Sequence, residues 1–72
     1  MTINCNNSSS KSVEFLNNGA TIMVFALEYG QYWFTIGKGY STEAGAKKAA
    51  VKKMAKHGYT FNEQEMTNLK IR

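Results

Sequence analysis

The sequence predicts one α+β domain, in which a small antiparallel sheet of two to four strands carries a main helix on one face. Two segments rich in β-branched, aliphatic and aromatic residues, Ala20 to Tyr29 and Tyr32 to Tyr40, form a central hairpin over about residues 20–40. An alanine- and lysine-rich stretch follows and predicts a helix over about residues 42–57. With 72 residues, the chain has room for a single small core.

The beginning of the chain has a less regular pattern. Residues 4–12 are rich in asparagine, serine and lysine, and we expect them to form a polar loop or flexible arm of a single domain spanning residues 1–72. Residues 1–3 can add a short edge strand. The segment Val13 to Leu16 predicts a turn or a brief helix, and Asn17-Asn18-Gly19 is a strong turn sequence.

The predicted hairpin is apolar on both of its faces. The alternation places Ile22, Val24 and Ala26 on one face and Met23, Phe25 and Leu27 on the other. A sheet with one face in water would alternate apolar and polar residues cleanly. Because one helix covers one face only, the other face must meet the termini, a second subunit or a ligand. Trp33 opposes Phe34 across the sheet, which makes Trp33 the favoured candidate for an exposed anchor.

The predicted helix has suitable residues at both ends. Ser41 or Thr42 supplies the N-cap hydroxyl, Glu43 complements the positive N-terminus, and Gly58 can end the helix. A helical wheel separates a basic side from a small apolar side. The basic side holds Lys48, Lys52, Lys53 and Lys56, and the apolar side holds Ala44, Ala50, Val51, Met54 and Ala55. Lys47 falls near the apolar side, with its stem expected on the sheet and its ammonium group in water.

The C-terminal residues allow two interpretations. Tyr59-Thr60-Phe61 predicts a short return strand. The sequence Asn62-Glu63-Gln64-Glu65 resembles a capping box, which predicts a final helical turn. Residues 66–72 alternate well enough to form a strand instead, and the sequence does not decide between the two.

Composition and charge narrow the function classes. Nine Lys and Arg against five Asp and Glu give a net charge of +4, which suits nucleic acid or an acidic protein surface. The first residues lack the apolar run of a secretory signal, and no stretch approaches the roughly 20 apolar residues of a membrane span. With Cys5 as its one cysteine, the chain is predicted to be cytoplasmic, free of disulfides and without a membrane partner.

The sequence predicts neither an enzyme nor a metal or cofactor site. Cys5 and His57 occur once each, which is below the ligand count of a structural zinc site. His57 lies on a lysine-rich helix end without a nucleophile or acid nearby in sequence, and Cys5 lies in the polar arm. The segment Gly37-Lys38-Gly39 lacks the spacing of a P-loop and of a dinucleotide fingerprint.

A row of lysines is the main candidate for function. Lys48, Lys52 and Lys56 recur every four residues, Lys53 lies beside them, and Lys38 precedes the helix. Such a row can follow a line of phosphates, and no acidic residue on the same face offers a partner at i±4. The alternative interpretation is a solvated helix face without a partner.

Aromatic residues of the hairpin form the second candidate. Tyr32, Trp33 and Phe34 are predicted to bind a partner protein or to stack on unpaired bases. Packing in the core or in a homodimer is the more common explanation for such residues.

The segment from Phe34 to Met54 resembles the C-terminal half of a double-stranded-RNA-binding domain. That family ends its last strand in Gly-x-Gly-x-Ser, matched here by Gly37, Gly39 and Ser41, and its helix has paired alanines, matched by Ala49-Ala50. The resemblance implies a sheet with a packed helix and a double-stranded partner. The family has basic residues just after the serine. This chain has Thr42, Glu43 and Ala46 in that region, and its lysines come later, at Lys47, Lys48 and Lys52.

The hairpin, together with Gly39-Tyr40-Ser41-Thr42 and the alanine-rich helix, is also similar to the arm-binding domains of phage-type integrases, which insert a sheet into DNA. The sequence thus predicts a nucleic-acid-binding module, with a double-stranded partner favoured. The alternative is a phage or mobile-element accessory protein that binds and inhibits a host protein through its aromatic sheet face. A homodimer is compatible with either function.

Overall fold

The computed structural model describes residues 1–71 and contains four strands followed by two helices. The strands are β1 (Thr2–Asn4), β2 (Lys11–Asn17), β3 (Ile22–Glu28) and β4 (Gln31–Tyr40), and the helices are α1 (Glu43–Lys56) and α2 (Glu63–Asn68). The strands form one sheet in the order β1-β2-β3-β4, and every neighbouring pair is antiparallel. The predicted α+β class and the main helix on one sheet face are confirmed.

Two tight turns set the register of the central strands. The Asn18 side chain accepts hydrogen bonds from the backbone of Ala20 and Thr21, and Gly19 adopts a positive φ of 94° between β2 and β3. Tyr29 and Gly30 connect β3 to β4 with φ values of 52° and 77°. Two consecutive positive φ values are typical of the type I′ turn, whose twist matches that of the flanking strands. The predicted central hairpin is therefore confirmed.

The core lies between one sheet face and the two helices. Helix α1 packs across β3 and β4, and its buried side consists of Ala46, Ala50 and Met54. Two of these three residues are alanines, so the helix can approach the sheet closely. The remaining buried apolar residues are Ile3, Cys5, Val13, Phe15, Ile22, Val24, Ala26, Met66 and Ile71. The helical wheel predicts Ala44, Val51 and Ala55 on the apolar side, but these three are exposed.

Strand β4 departs from regular pairing with β3 at three places. The register shifts between Ile22 and Val24, between Val24 and Phe25, and between Ala26 and Leu27. Ala26 pairs with Phe34 and Leu27 with Tyr32, so Trp33 has no partner of its own. Such bulges bend a strand and change the direction of its side chains. They also make the β4 edge a poor template for another strand.

Side chains cap both helices. The Thr42 hydroxyl accepts a hydrogen bond from the Gly45 backbone at 3.0 Å, which identifies Thr42 as the N-cap of α1. Gly58 follows the helix with a positive φ of 87°, as expected for a residue that ends a helix. The Asn62 side chain accepts from the Glu65 backbone at 2.9 Å and begins α2. For residues 62–71 the C-terminal ambiguity is thereby resolved in favour of a helix, and Arg72, the last residue of the alternative strand, lies outside the described residues.

Three predictions about local structure were wrong. The segment Val13 to Leu16 lies in strand β2, because Val13 and Phe15 point into the core. The polar connection between strands is limited to residues 5–10, since Asn4 belongs to β1 and Lys11 and Ser12 are buried in β2. Residues 59–61 form no strand, although the Thr60 carbonyl accepts a hydrogen bond from the Asn6 backbone.

Candidate nucleic-acid interface

The predicted basic side of α1 is exposed to solvent. Lys48, Lys52, Lys53 and Lys56 all lie on the surface, as does Lys38 on β4. The ion pairs within residues 1–71 join the N-terminus to Glu14, Lys11 to Glu28 and Lys47 to Glu43. None of them involves Lys38, Lys48, Lys52, Lys53 or Lys56. We call Lys48, Lys52, Lys53 and Lys56 the lysine row.

The lysine row borders two different concavities. Lys52, Lys53 and Lys56 line a depression of about 150 Å³ between α1 and β4. Lys48 and Lys52 line a larger groove of about 820 Å³ between α1 and α2, together with apolar residues such as Val51 and Phe61. Lys52 therefore lies at the ridge between the two. Lys38 lines neither concavity.

Lys47, unlike the lysines of the row, has hydrogen-bond partners within residues 1–71. Its ammonium group donates hydrogen bonds to the carbonyls of Thr67 at 3.2 Å and Leu69 at 2.5 Å. Glu43 lies 3.9 Å away, one helical turn earlier. These carbonyl contacts were not predicted, and through them Lys47 joins the C-terminal end of α2 to α1.

The three aromatic residues predicted to bind a partner are separated by the bulge in β4. The Trp33 and Phe34 rings contact each other with centroids 4.8 Å apart, and both contact the ring of His57. Both rings are therefore half-buried at the C-terminal end of α1, on the helix side of the sheet. The expectation that Trp33 and Phe34 lie on opposite faces was wrong, because the unpaired residue of the bulge turns its side chain to the helix side.

Tyr32 lies on the other sheet face, where no helix packs. It pairs with Leu27, contacts Phe25 edge-to-face at 6.2 Å, and is 65% exposed. Its hydroxyl lies 2.9 Å from the Thr35 hydroxyl. The register places Leu16, Met23, Phe25, Leu27 and Tyr32 on this face, which we call the outer face. The outer face is the side of the hairpin that the single main helix leaves uncovered.

A buried lysine, which no sequence pattern indicated, lies at the centre of an aromatic cluster. Lys11 is held by Glu28 at 2.9 Å, and its ammonium group lies 5.3 Å from the Trp33 ring and 5.2 Å from the Tyr59 ring. Cation–π attraction and the ion pair both favour its charged form. The hydrogen bond to Glu28 raises the pKa of Lys11 above its ordinary value. This lysine is structural and belongs to neither concavity.

Cys5 is buried instead of lying in a mobile arm. Burial raises the pKa of its thiol, and the nearby positive charge of Lys11 opposes this increase only in part. A protonated, inaccessible thiol is a poor nucleophile and a poor metal ligand. Within residues 1–71, no three His, Cys, Asp or Glu side chains are grouped so that they could hold a metal ion.

Neither helix described within residues 1–71 is long and apolar enough to cross a membrane. No family model matches the chain, and searches of curated proteins and of solved structures also gave no match.

Proposed function

We propose that this protein is a small nucleic-acid-binding module that contacts the phosphates of a double strand through the lysine row. The observation that carries this proposal is the exposure of four lysines on one helix, without a carboxylate partner within residues 1–71. Like charges on adjacent turns repel each other. A polyanion that binds along the row removes this repulsion and releases its own counterions.

The spacing of the row suits a regular phosphate backbone. A rise of about 1.5 Å per residue separates Lys48, Lys52 and Lys56 by about 6 Å along the helix axis, or about 12 Å in total. A duplex advances about 3.4 Å along its axis for each phosphate of one strand, so a row lying parallel to that axis extends over three to four such steps. Lysine side chains are long enough to adjust to this spacing, whereas they carry little information about base sequence. We therefore expect weak sequence specificity.

The position of the aromatic residues favours a double-stranded partner over a single-stranded one. Proteins that bind single strands place exposed aromatic rings beside the basic groove, so that bases can stack on them. Here Trp33 and Phe34 pack against His57, and Tyr32 lies on the outer face, away from α1. The resemblance of the segment from Phe34 to Met54 to double-stranded-RNA-binding domains also favours a double-stranded partner.

A salt titration tests the proposal. Fluorescence anisotropy with short labelled DNA and RNA duplexes measures affinity between about 50 and 200 mM salt. Four phosphate contacts give a log–log slope of about −3.6 for B-DNA, which is a loss of about 150-fold over this range. Lys52→Gln is expected to reduce the magnitude of the slope by about 0.9.

The matched control is Lys70→Gln, which removes the same charge from an exposed lysine outside the row. Its slope is expected to stay within error of the wild-type slope. Absence of binding at about 50 mM salt would refute the proposal. Equal effects of the two substitutions would also refute it, because net charge alone would then explain binding.

The outer face supports a second candidate function, the binding and inhibition of a host protein. Leu16 is 43% exposed and Tyr32 65% exposed, with Met23, Phe25 and Leu27 half-buried beside them. Contiguous exposed apolar surface is a common feature of protein interfaces. The test is Tyr32→Ser compared with Lys52→Gln. If a reconstituted complex with a host enzyme forms with Lys52→Gln but not with Tyr32→Ser, this function is supported. If instead the protein self-associates reversibly and Tyr32→Ser abolishes the self-association, the outer face belongs to a homodimer.

A further inference from the structure

The depression between α1 and β4 has an unusual set of lining residues. It is formed by Ile36, Tyr40, Ala49, Lys52, Lys53 and Lys56, so three ammonium-bearing side chains and no carboxylate surround about 150 Å³. The depression is open to solvent, so a phosphoryl group can approach the three lysines directly.

The wall of the depression is fixed by local packing. A side chain at Gly37 would collide with the Tyr40 ring, since a Cβ atom there would lie closer to the hydroxyl than van der Waals contact allows. The absence of a side chain at Gly37 therefore lets Tyr40 lie against β4 as one wall. Ala49 is half-buried on α1, and its short side chain leaves the space open between the strand and the three lysines.

We propose that this depression is a pocket for a phosphoryl group of high charge, either the terminal phosphate of a nucleic-acid strand or a free polyphosphate. This inference rests on the proposed function and makes it more specific, since at a strand end it assigns three of the four lysines of the row to one terminal phosphoryl group. A phosphate monoester carries about −1.5 to −2 charges at pH 7, whereas an internal phosphodiester carries −1. Three lysines that line one depression gain more from the more highly charged group.

The first experiment uses inorganic pyrophosphate as the probe and wild-type protein at low salt. Amide chemical shifts in ¹H–¹⁵N spectra are expected to change at Ala49, Lys53 and Tyr40 as pyrophosphate is added. Lys53→Gln is expected to weaken binding about fivefold, the size of a good exposed ion pair. Lys48→Gln is the matched control, because it removes one charge from the same helix outside the depression. It is expected to weaken binding less than about twofold.

The second experiment compares duplexes with and without 5′-phosphates, again by anisotropy. A terminal phosphate bound in the depression makes the phosphorylated duplex bind about fivefold more tightly, and Lys53→Gln abolishes this difference. Equal affinity for the two duplexes, together with pyrophosphate shifts at the depression, overturns end recognition and assigns the pocket to free polyphosphate.

The two proposals fail in different ways. Duplex binding without pyrophosphate shifts at Ala49, Lys53 and Tyr40 overturns the pocket and leaves the duplex-binding proposal standing. Pyrophosphate shifts at those residues without duplex binding overturn the nucleic-acid function and support the pocket alone. Equal weakening of pyrophosphate binding by Lys48→Gln and Lys53→Gln overturns the pocket, because the row would then act as a diffuse patch of charge.

Discussion

The position of α1 on the sheet depends on Met54, and truncation of this side chain tests the packing directly. Met54 is fully buried and lies on the same side of α1 as the buried residues Ala46 and Ala50. Met54→Ala removes buried methylene and sulfur contacts and leaves a cavity, which costs about 2–5 kcal/mol. For 72 residues, the free energy of unfolding is expected to be about 4–11 kcal/mol. Met54→Ala therefore removes a large share of the total free energy of unfolding.

Urea denaturation followed by circular dichroism measures this loss. With an m value of about 1 kcal/mol/M, the midpoint is expected to fall by about 2 M or more. Val51→Ala is the control on the same helix, since Val51 is 42% exposed and its truncation is expected to change stability by less than about 0.5 kcal/mol. If Met54→Ala has no larger effect than Val51→Ala, then α1 does not pack on the sheet through this side, and the orientation of the lysine row is wrong as well.

Three further predictions concern the helix cap, the thiol and the buried lysine. Thr42→Ala is expected to lower the unfolding free energy by about 1 kcal/mol in urea titrations, whereas Ser41→Ala leaves it nearly unchanged because Ser41 is not the cap. Cys5 is expected to react with a thiol reagent at pH 8 about tenfold or more slowly in native protein than in urea, and equal rates would contradict its burial. Glu28 raises the pKa of Lys11 in the folded protein above the unfolded-state value of about 10.4. Their ion pair therefore contributes its full share of the unfolding free energy below the unfolded-state pKa. This contribution is lost as the pH rises through the folded-state pKa. The stability difference between wild type and Lys11→Met should therefore stay constant from about pH 7 to 9.5 and narrow above about pH 10.5, as measured by urea titration at each pH.

Features set by local interactions were predictable from the sequence. The hairpin turn requires two consecutive positive φ values; Gly30 adopts its value without steric cost, whereas Tyr29 adopts a φ of 52° against the preference of a residue with a Cβ atom. The start and end of α1 follow from Thr42 and Gly58. Each of these features depends on a few neighbouring residues, so a short window of sequence contains the needed information.

Features set by pairing between distant residues were missed. Strand β2 alternates Ser12 and Glu14 with Val13 and Phe15, which is the period of a half-buried strand. The segment is short and flanked by turn-forming residues, so its strand character becomes clear only when β1 and β3 pair with it. Burial of Lys11 likewise depends on partners far away in sequence.

The orientation of α1 was predicted only in part, because alanine gives a weak pattern. Ala44, Ala46, Ala50 and Ala55 have the same side chain, so the wheel could not tell which of them face the sheet. The structure buries Ala46 with Ala50, at i and i+4. The four lysines of the row gave a stronger pattern, and their exposure was predicted correctly.

The bulge at Trp33 decides how the two candidate functions are arranged on the molecule. Because Trp33 and Phe34 pack against His57, they hold the C-terminal end of α1, where Lys53 and Lys56 lie, on the sheet. Tyr32 then remains alone among the three predicted aromatic residues on the outer face. The lysine row and the outer face are therefore separate surfaces on opposite sides of one sheet. A substitution on one side leaves the contacts of the other intact, so a duplex and a protein partner need not compete for this chain. Simultaneous binding would follow directly from this arrangement, and competition between the two ligands would show that the bulge does not separate them.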